Sequence, residues 1–145
     1  MSDTAEVPFR ILPLLTDKNR HFWTGGERGE LCFLRCQDDG TYIHPPVPVC
    51  PTCHSKRLAP EAVSGRATVA SFTINHQAWM PGPELPYVVG IIEIEEQPSL
   101  RVTTNIVNVD PEGVFVGMPV QVVFERHEDP DGDVYLPLFQ PRERS

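Results

Sequence analysis

Three of the four cysteines in the chain lie between residues 36 and 53, at spacings typical of metal sites. Cys50 and Cys53 enclose a two-residue turn, and such a C-x-x-C turn directs two thiolates to one side, where a tetrahedral zinc ion can bind both. The matching upstream turn pairs Cys36 with position 39, which is Asp39 instead of a cysteine. A carboxylate oxygen binds zinc at about 2.0–2.2 Å, so the sequence predicts three thiolates and one carboxylate as metal ligands.

The spacing alone leaves the fourth ligand open, since Asp38, His44 and His54 also lie beside the two turns. A second interpretation is a vestigial site without metal, whose turns are held by neighbouring prolines. A third is a reactive thiol, for which His44 and His54 are the nearby bases. If a metal binds, a set so rich in thiolates indicates a structural ion, because no His/Glu triad with an open position accompanies it.

The fourth cysteine is expected to stand apart from this cluster. Residues 29–36 have the pattern of a strand, and on a strand Cys32 and Cys36 share a face but lie about 13 Å apart. They cannot bind one ion at that distance. Cys32 is therefore predicted to be a small buried residue, as free cysteines often are.

Length and charge narrow the class of protein. The 145 residues predict one domain, which can bury a core without help from metal or disulfides. The formal net charge of −8 opposes binding to a phosphate backbone. No apolar run approaches the ~20 residues that span a bilayer, and the first residues do not resemble a signal peptide. We expect a cytoplasmic protein, in which clustered cysteines favour metal over disulfides.

Sixteen prolines and ten glycines favour short strands and turns over long helices. One helix is predicted, with Thr16 as its N-cap and Gly25-Gly26 at its end. Five strands follow the cysteine region, and Asp110-Pro111 opens a helical turn between the third and the fourth. This is the element order of an OB-fold barrel. The strands are expected over residues 66–79, 86–96, 99–109, 118–127 and 133–139.

Several segments, taken in their order, resemble a known family. They read FWTGGERGELCFLRC, PPVPVCPTCHS, SGRATVASFTI, PYVVGIIEIEE, TTNIV and VGMPVQVVFE. Over about residues 17–140 the chain is similar to the zinc-ribbon plus OB-fold family called domain of unknown function 35. In that family the ribbon usually has four cysteines, and Asp39 stands where the second would be.

The resemblance implies a fold that is mainly β. It consists of an N-terminal helix and a rubredoxin-like zinc ribbon, followed by a five-stranded OB-fold barrel. The expected divisions are an arm and helix at residues 1–28, the ribbon at 29–62 and the barrel at 63–141.

The resemblance also implies a function, that of a non-catalytic accessory subunit of a thiolase-like acyl-CoA enzyme. Such proteins form hetero-oligomers with condensing, acyl-transferring or retro-aldol enzymes, and some accompany hot-dog-fold hydratases in steroid breakdown. The shared ligand would be a coenzyme A thioester, and Zn²⁺ would be the metal. No nucleophile motif or phosphate loop is visible in the sequence. The expected partner or acyl-CoA contacts are apolar and aromatic residues: Phe22, Trp23, Trp79, Met80 and Tyr87.

Two other functions compete with this one. An OB-fold barrel can bind single-stranded nucleic acid, but residues 66–140 contain only Arg66, Arg101 and Arg126 as strong cations. A ribbon with two knuckles can also hold redox-active iron, but that chemistry uses four thiolates and Asp39 interrupts the set.

Overall fold

The computed structural model describes residues 12–77, 84–130 and 132–142. A small three-stranded sheet is followed by a closed five-stranded barrel, and one short helix precedes both. This confirms the predicted fold class. The predicted arm before residue 12 lies outside the described residues.

The helix is shorter than the sequence indicated. Helix α1 comprises Arg20–Thr24 and continues as a 3-10 turn over Gly25–Arg28. Thr16 does not cap it: the Asn19 side chain accepts from the Thr16 N–H at 2.8 Å, and the Thr16 hydroxyl accepts from the Asn19 N–H at 3.3 Å, which closes a separate turn. Among the described residues, no helix has the length and apolar character needed to cross a membrane.

The ribbon sheet has strand β1 at its centre. Strand β1 (Leu31–Cys36) pairs antiparallel with β2 (Tyr42–Ile43) on one side and with β3 (Leu58–Val63) on the other. The register sets Cys36 opposite Leu58, at the end of the sheet from which both cysteine turns extend. The strand prediction for residues 29–36 is therefore confirmed with a start two residues later.

The barrel closes in the order β4-β5-β6-β8-β7. All neighbouring strands are antiparallel except β6 and β8, which run parallel. A 3-10 turn at Pro111–Gly113 lies between β6 and β7, and the Asp110 carboxylate accepts from the Glu112 N–H at its start. The predicted helical turn is thus present. The strands are β4 (Arg66–Asn75), β5 (Tyr87–Ile94), β6 (Arg101–Ile106), β7 (Pro119–His127) and β8 (Val134–Pro141).

Side-chain burial follows strand alternation only in part. In β7, Val120 is fully buried, whereas Val122 and Phe124 are partly buried and pack against the same core. In β4 the register shifts between Val69 and Ser71, so Ala70 lies in a β-bulge. A single-residue bulge turns the following side chains to the other face.

One apolar cluster joins helix, ribbon and barrel. Phe22 of α1 and Phe33 of β1 pack in the same cluster as Ile92, Val120 and Phe139 of the barrel. Phe33 and Phe139 have no exposed surface. The ribbon is therefore held against the barrel by shared burial of apolar side chains, the main favourable term in folding.

The approach of the 3-10 turn to the barrel gives a testable consequence. A Cβ added at Gly26 would lie 2.5 Å from the Tyr135 Cβ and 2.8 Å from the Phe124 ring. We expect Gly26→Ala to lower the free energy of unfolding by about 1–3 kcal/mol because the turn must move off strands β7 and β8. Gly113→Ala is the control, since its Cβ would meet Val109 at an ordinary 3.7 Å. Urea unfolding of both variants is the measurement, and equal midpoints would contradict the packing.

Candidate metal centre and adjoining groove

The four predicted ligands lie together at the end of the ribbon. One ligand atom each of Cys36, Asp39, Cys50 and Cys53 falls within 4.8 Å of all the others. Two sulfurs bound to zinc at ~2.3 Å in a tetrahedron lie about 3.8 Å apart, and a sulfur and an oxygen about 3.6 Å. The Cys36 and Cys53 sulfurs are separated by 3.6 Å, and the Cys50 sulfur and Asp39 Oδ2 by 3.5 Å. The donor set fits a zinc ion in both composition and spacing.

The two cysteine turns have the same backbone hydrogen bonds. In the second turn the Cys50 N–H donates to the Ser55 carbonyl at 2.9 Å, and the His54 N–H donates to the Cys50 carbonyl at 2.9 Å. In the first turn Cys36 is bonded in the same way to residues 41 and 40, at 2.8 and 3.0 Å. Position 39 is thus the structural equivalent of Cys53, which explains why Asp39 points at the three thiols.

A left-handed residue ends each turn. Gly40 has φ 82° and His54 has φ 64°, at equivalent places after the second ligand. Glycine adopts this conformation freely, whereas a residue with a Cβ pays about 1 kcal/mol for it. The Gly after Asp39 therefore favours the first turn even though one cysteine of that turn is replaced.

Hydrogen bonds set the charge on the ligand atoms. The Thr41 N–H donates to Asp39 Oδ1 at 2.9 Å, and this bond, followed by the Cys36 thiol, holds the pKa of Asp39 well below its usual range. The Cys53 N–H is the main group that lowers the pKa of Cys50. The Ser55 N–H acts in the same direction on Cys53, but desolvation and the neighbouring thiols and carboxylate outweigh it and raise its pKa to about 12. Asp39 is therefore a carboxylate, and Cys50 gives up its proton more readily than Cys53.

The cluster has a buried side and an exposed side. Cys36 and Cys50 are buried with Ile43, and the partly buried apolar side chains Leu34, Val47 and Leu58 pack around these three. Asp39 and Cys53 are exposed. Two ligands are thus fixed by packing, whereas the other two face solvent.

The alternative donors have other positions. The Asp38 carboxylate accepts from Ser55 and pairs with Arg57, so it ties the first cysteine turn to the end of the second. His54 is exposed at the left-handed position, and His44 packs among aromatic rings. Cys32 is buried, as predicted, and contacts the Arg28 guanidinium at 3.9 Å.

A groove of about 470 Å³ lies between α1, residues 44–45 after strand β2, and barrel strands β6 and β8. Apolar groups such as Trp23, Pro45 and Leu138 line it together with Arg101 and Asn105. Phe22, a predicted contact residue, is only 3% exposed and belongs to the core, although its ring reaches the groove wall. Arg101 is bonded to Glu93 at 3.0 Å, so its charge is already partnered.

The other expected contact residues are distributed differently. Tyr87 is half-buried at the start of strand β5, and the groove lining does not include it. Trp79 and Met80 lie outside the described residues. Sequence reasoning missed the groove because its walls come from four segments, and no spacing along the chain brings Trp23, His44 and Arg101 together.

An aromatic cluster surrounds His44 at the base of the groove. The centroid of the His44 ring lies 4.6 Å from that of Phe22 and 5.3 Å from that of Phe33. The Phe22 ring also contacts the Trp23 ring edge to face, with 4.7 Å between centroids. Desolvation, followed by the nearby His21, lowers the pKa of His44 to about 4. His44 is therefore a neutral packing residue at physiological pH.

This environment makes the fold sensitive to acid. The pKa of His44 is lower in the folded state than its ordinary 6.5, so the stability it contributes is present above pH 6.5 and is lost as pH falls toward 4. We expect a loss of about 2 kcal/mol after allowance for the partial exposure of the ring. His44→Phe keeps a ring in the cluster but has no titrating group there. Between pH 7 and 4.5 its free energy of unfolding should therefore fall by about 2 kcal/mol less than that of the natural chain. His76→Gln, at an exposed position, should follow the natural chain. Urea unfolding at both pH values is the measurement, and parallel losses in all three proteins would contradict the role of His44.

The barrel arginines are all engaged in ion pairs. Arg66 pairs with Glu95 at 3.0 Å, and Arg126 pairs with Asp133 at 2.6 Å, in addition to the pair formed by Arg101. Single-strand-binding OB folds use a basic groove with stacking aromatic residues. Within the described part of the barrel, these paired arginines do not form such a groove.

Comparison with known proteins agrees with this architecture. Two family descriptions match: "ChsH2, rubredoxin-like zinc ribbon domain" over residues 23–59, and "ChsH2, C-terminal OB-fold domain" over residues 60–125. A DUF35 domain-containing scaffold protein from Methanocaldococcus jannaschii is 38% identical over 109 residues, which are 74% of this chain and 75% of that protein. The chain belongs to the DUF35 family. This confirms the resemblance seen in the sequence.

Other relatives of this DUF35 chain are parts of acyl-CoA enzymes. The 3-oxo-4,17-pregnadiene-20-carboxyl-CoA hydratase alpha subunit of Mycobacterium tuberculosis is 35% identical over 133 residues, 92% of this chain. The chain spans only about two fifths of the curated hydratase subunits that it matches, 40% and 41% of their lengths. Among solved structures, a chain of the Ltp2-ChsH2(DUF35) aldolase superposes with a TM-score of 0.77 and 32% identity, over 90% of this chain and 98% of that one.

Proposed function

We propose that this DUF35 chain is a non-catalytic accessory subunit of a thiolase-like acyl-CoA enzyme. The observation that carries the proposal is the likeness to the Ltp2-ChsH2(DUF35) aldolase chain, which extends over 98% of that chain. Family members described as DUF35 domain-containing scaffold proteins support a role in assembly. The partner enzyme would act by acyl transfer, thiolysis or retro-aldol cleavage. Because two relatives are hydratase subunits, we propose a hot-dog-fold hydratase as a second partner.

The groove is the surface that we propose for contact with the coenzyme A thioester or with the partner around it. Its lining is predominantly apolar, and the half-buried Trp23 offers a rigid ring at its edge. Rigid aromatic groups contribute contact area at a low entropic cost. Because the charge of Arg101 is already paired with Glu93, the groove suits the uncharged arm or acyl part of a thioester better than its phosphates.

The metal is proposed to be zinc, bound by Cys36, Asp39, Cys50 and Cys53 in a structural role. The apolar side chains beneath Cys36 and Cys50 would be held in place by the ion, which would fix the two turns against each other. Thiolate ligands favour zinc over magnesium or calcium. Redox-active iron in a rubredoxin-type site would require four thiolates, and the equivalent of Cys53 in the first turn is Asp39.

The zinc proposal is tested by metal content. We expect about one zinc per purified natural chain by elemental analysis, because the four donors match one tetrahedral ion. Cys50→Ser should lose most of that zinc and unfold at a lower temperature, since the serine hydroxyl is a poor zinc ligand at a buried position. Cys32→Ser is the matched control outside the cluster and should retain the metal. The site is wrong if Cys50→Ser retains zinc as the natural chain does.

The accessory role is tested with the partner itself. The tagged chain should retrieve a thiolase-like enzyme from native extract, and the two proteins, then made separately, should form one peak in gel filtration. The enzyme alone should turn over its acyl-CoA substrate at least tenfold more slowly than the pair, because an accessory subunit completes the complex. Trp23→Ala should weaken the association, whereas Thr73→Ala, an exposed change on strand β4, should not. An enzyme at full rate alone, with no co-elution, would refute the proposal.

A further inference from the structure

The exposed carboxylate of the cysteine cluster differs from its other three ligands in chemistry as well as in burial. Oxygen donors are harder than thiolates, and a lone oxygen among three thiolates is the weakest match to a borderline-soft ion such as zinc. Asp39 also lies on the solvent side with Cys53, whereas Cys36 and Cys50 are buried. The ligand most easily displaced is thus also one of the two that an outside molecule can reach.

The first cysteine turn is closed by bonds that do not involve Asp39 Oδ2. The Gly40 N–H donates to the Cys36 carbonyl, and the Cys36 N–H donates to the Thr41 carbonyl, both through the backbone. The ion pair of Asp38 with Arg57 ties this turn to the second one. A carboxylate that leaves a metal would therefore not open the turn.

Asp39 also has a position to occupy when it is not a ligand. Its Oδ1 accepts from the Thr41 N–H at 2.9 Å. The other oxygen, Oδ2, is the one nearest to the Cys50 sulfur, at 3.5 Å, and takes no part in that bond. A small rotation of the side chain can free Oδ2 while Oδ1 keeps its donor. This retained hydrogen bond lowers the free-energy cost of releasing the Asp39 carboxylate from a bound metal.

We propose that Asp39 is an exchangeable ligand whose place can be taken by a small aliphatic thiol from solution. The inference rests on the zinc site proposed above and adds a binding function to it. The exchange is a ligand substitution: the S–H proton goes to the buffer, the sulfur takes the fourth position and the Asp39 oxygen is released, with no oxidation or reduction. Catalytic zinc sites are likewise three protein ligands plus one exchangeable position.

The test uses the full chain loaded with Co²⁺, whose near-ultraviolet charge-transfer absorption reports the number of bound thiolates. Addition of 2-mercaptoethanol should raise that absorption by about one third, the change from three thiolates to four. Ethylene glycol, which has a hydroxyl in place of the thiol, should leave the spectrum unchanged. Cobalt content after desalting shows whether the ion stays on the chain.

Variants at position 39 make the result specific. Asp39→Cys should show the four-thiolate spectrum from the start and should not respond to the thiol. Asp39→Ala should respond at a concentration at least tenfold lower than the natural chain, because the competing carboxylate is gone.

The possible outcomes separate this inference from the zinc proposal. If the natural chain binds cobalt but millimolar 2-mercaptoethanol changes nothing, Asp39 is a fixed ligand. If the thiol strips the metal, it does not replace Asp39 alone. In either case the inference fails while the metal site stands. If the natural chain binds neither cobalt nor zinc, both fail together.

Discussion

Strand β1 is the element on which the rest of the molecule depends, because it belongs to two clusters at once. Its first half places Leu31 and Phe33 in the core that is shared with the barrel, and its last residue, Cys36, is a buried member of the cysteine cluster. The strand is also the centre of the ribbon sheet, paired on both sides. A displacement of β1 would therefore move the metal ligands, the aromatic cluster and the groove wall together, since packed interiors deform little.

This shared strand explains how a small ribbon keeps a defined position on a barrel. The Phe22 and Phe33 rings and the neutral His44 ring form one aromatic cluster beside the barrel core. Further contact comes from Gln97, whose side chain bonds to both the N–H and the carbonyl of Tyr42 at 2.9 Å. The groove is a consequence of this docking, because its walls belong to the helix, the ribbon and the barrel. The predominantly apolar lining of this groove is the basis for proposing it as a contact surface.

The cysteine cluster shows why a change of one donor need not disturb the geometry of a candidate metal site. The two turns keep the same backbone hydrogen bonds although one presents a carboxylate and the other a thiolate. Backbone bonds and the left-handed residues Gly40 and His54 set the direction of the side chains. In the proposed zinc site, the side chain at position 39 would then decide how strongly the ion is held.

The sequence by itself determined the element order, the five barrel strands, the turn opened by Asp110 and the separation of Cys32 from the cysteine cluster. These features rest on local alternation, turn residues and the length of a strand, all of which act within a few residues. It also named the four cluster residues from spacing, although it left Asp38, His44 and His54 as open alternatives to Asp39. Only the tertiary structure showed that Asp38 pairs with Arg57 and that His44 packs among aromatic rings. It also moved the helix start from Thr16 to Arg20, introduced the bulge at Ala70 and formed the groove. The physical reason is that those outcomes depend on contacts between residues distant in the chain, whose competition for burial and hydrogen bonds no local pattern records.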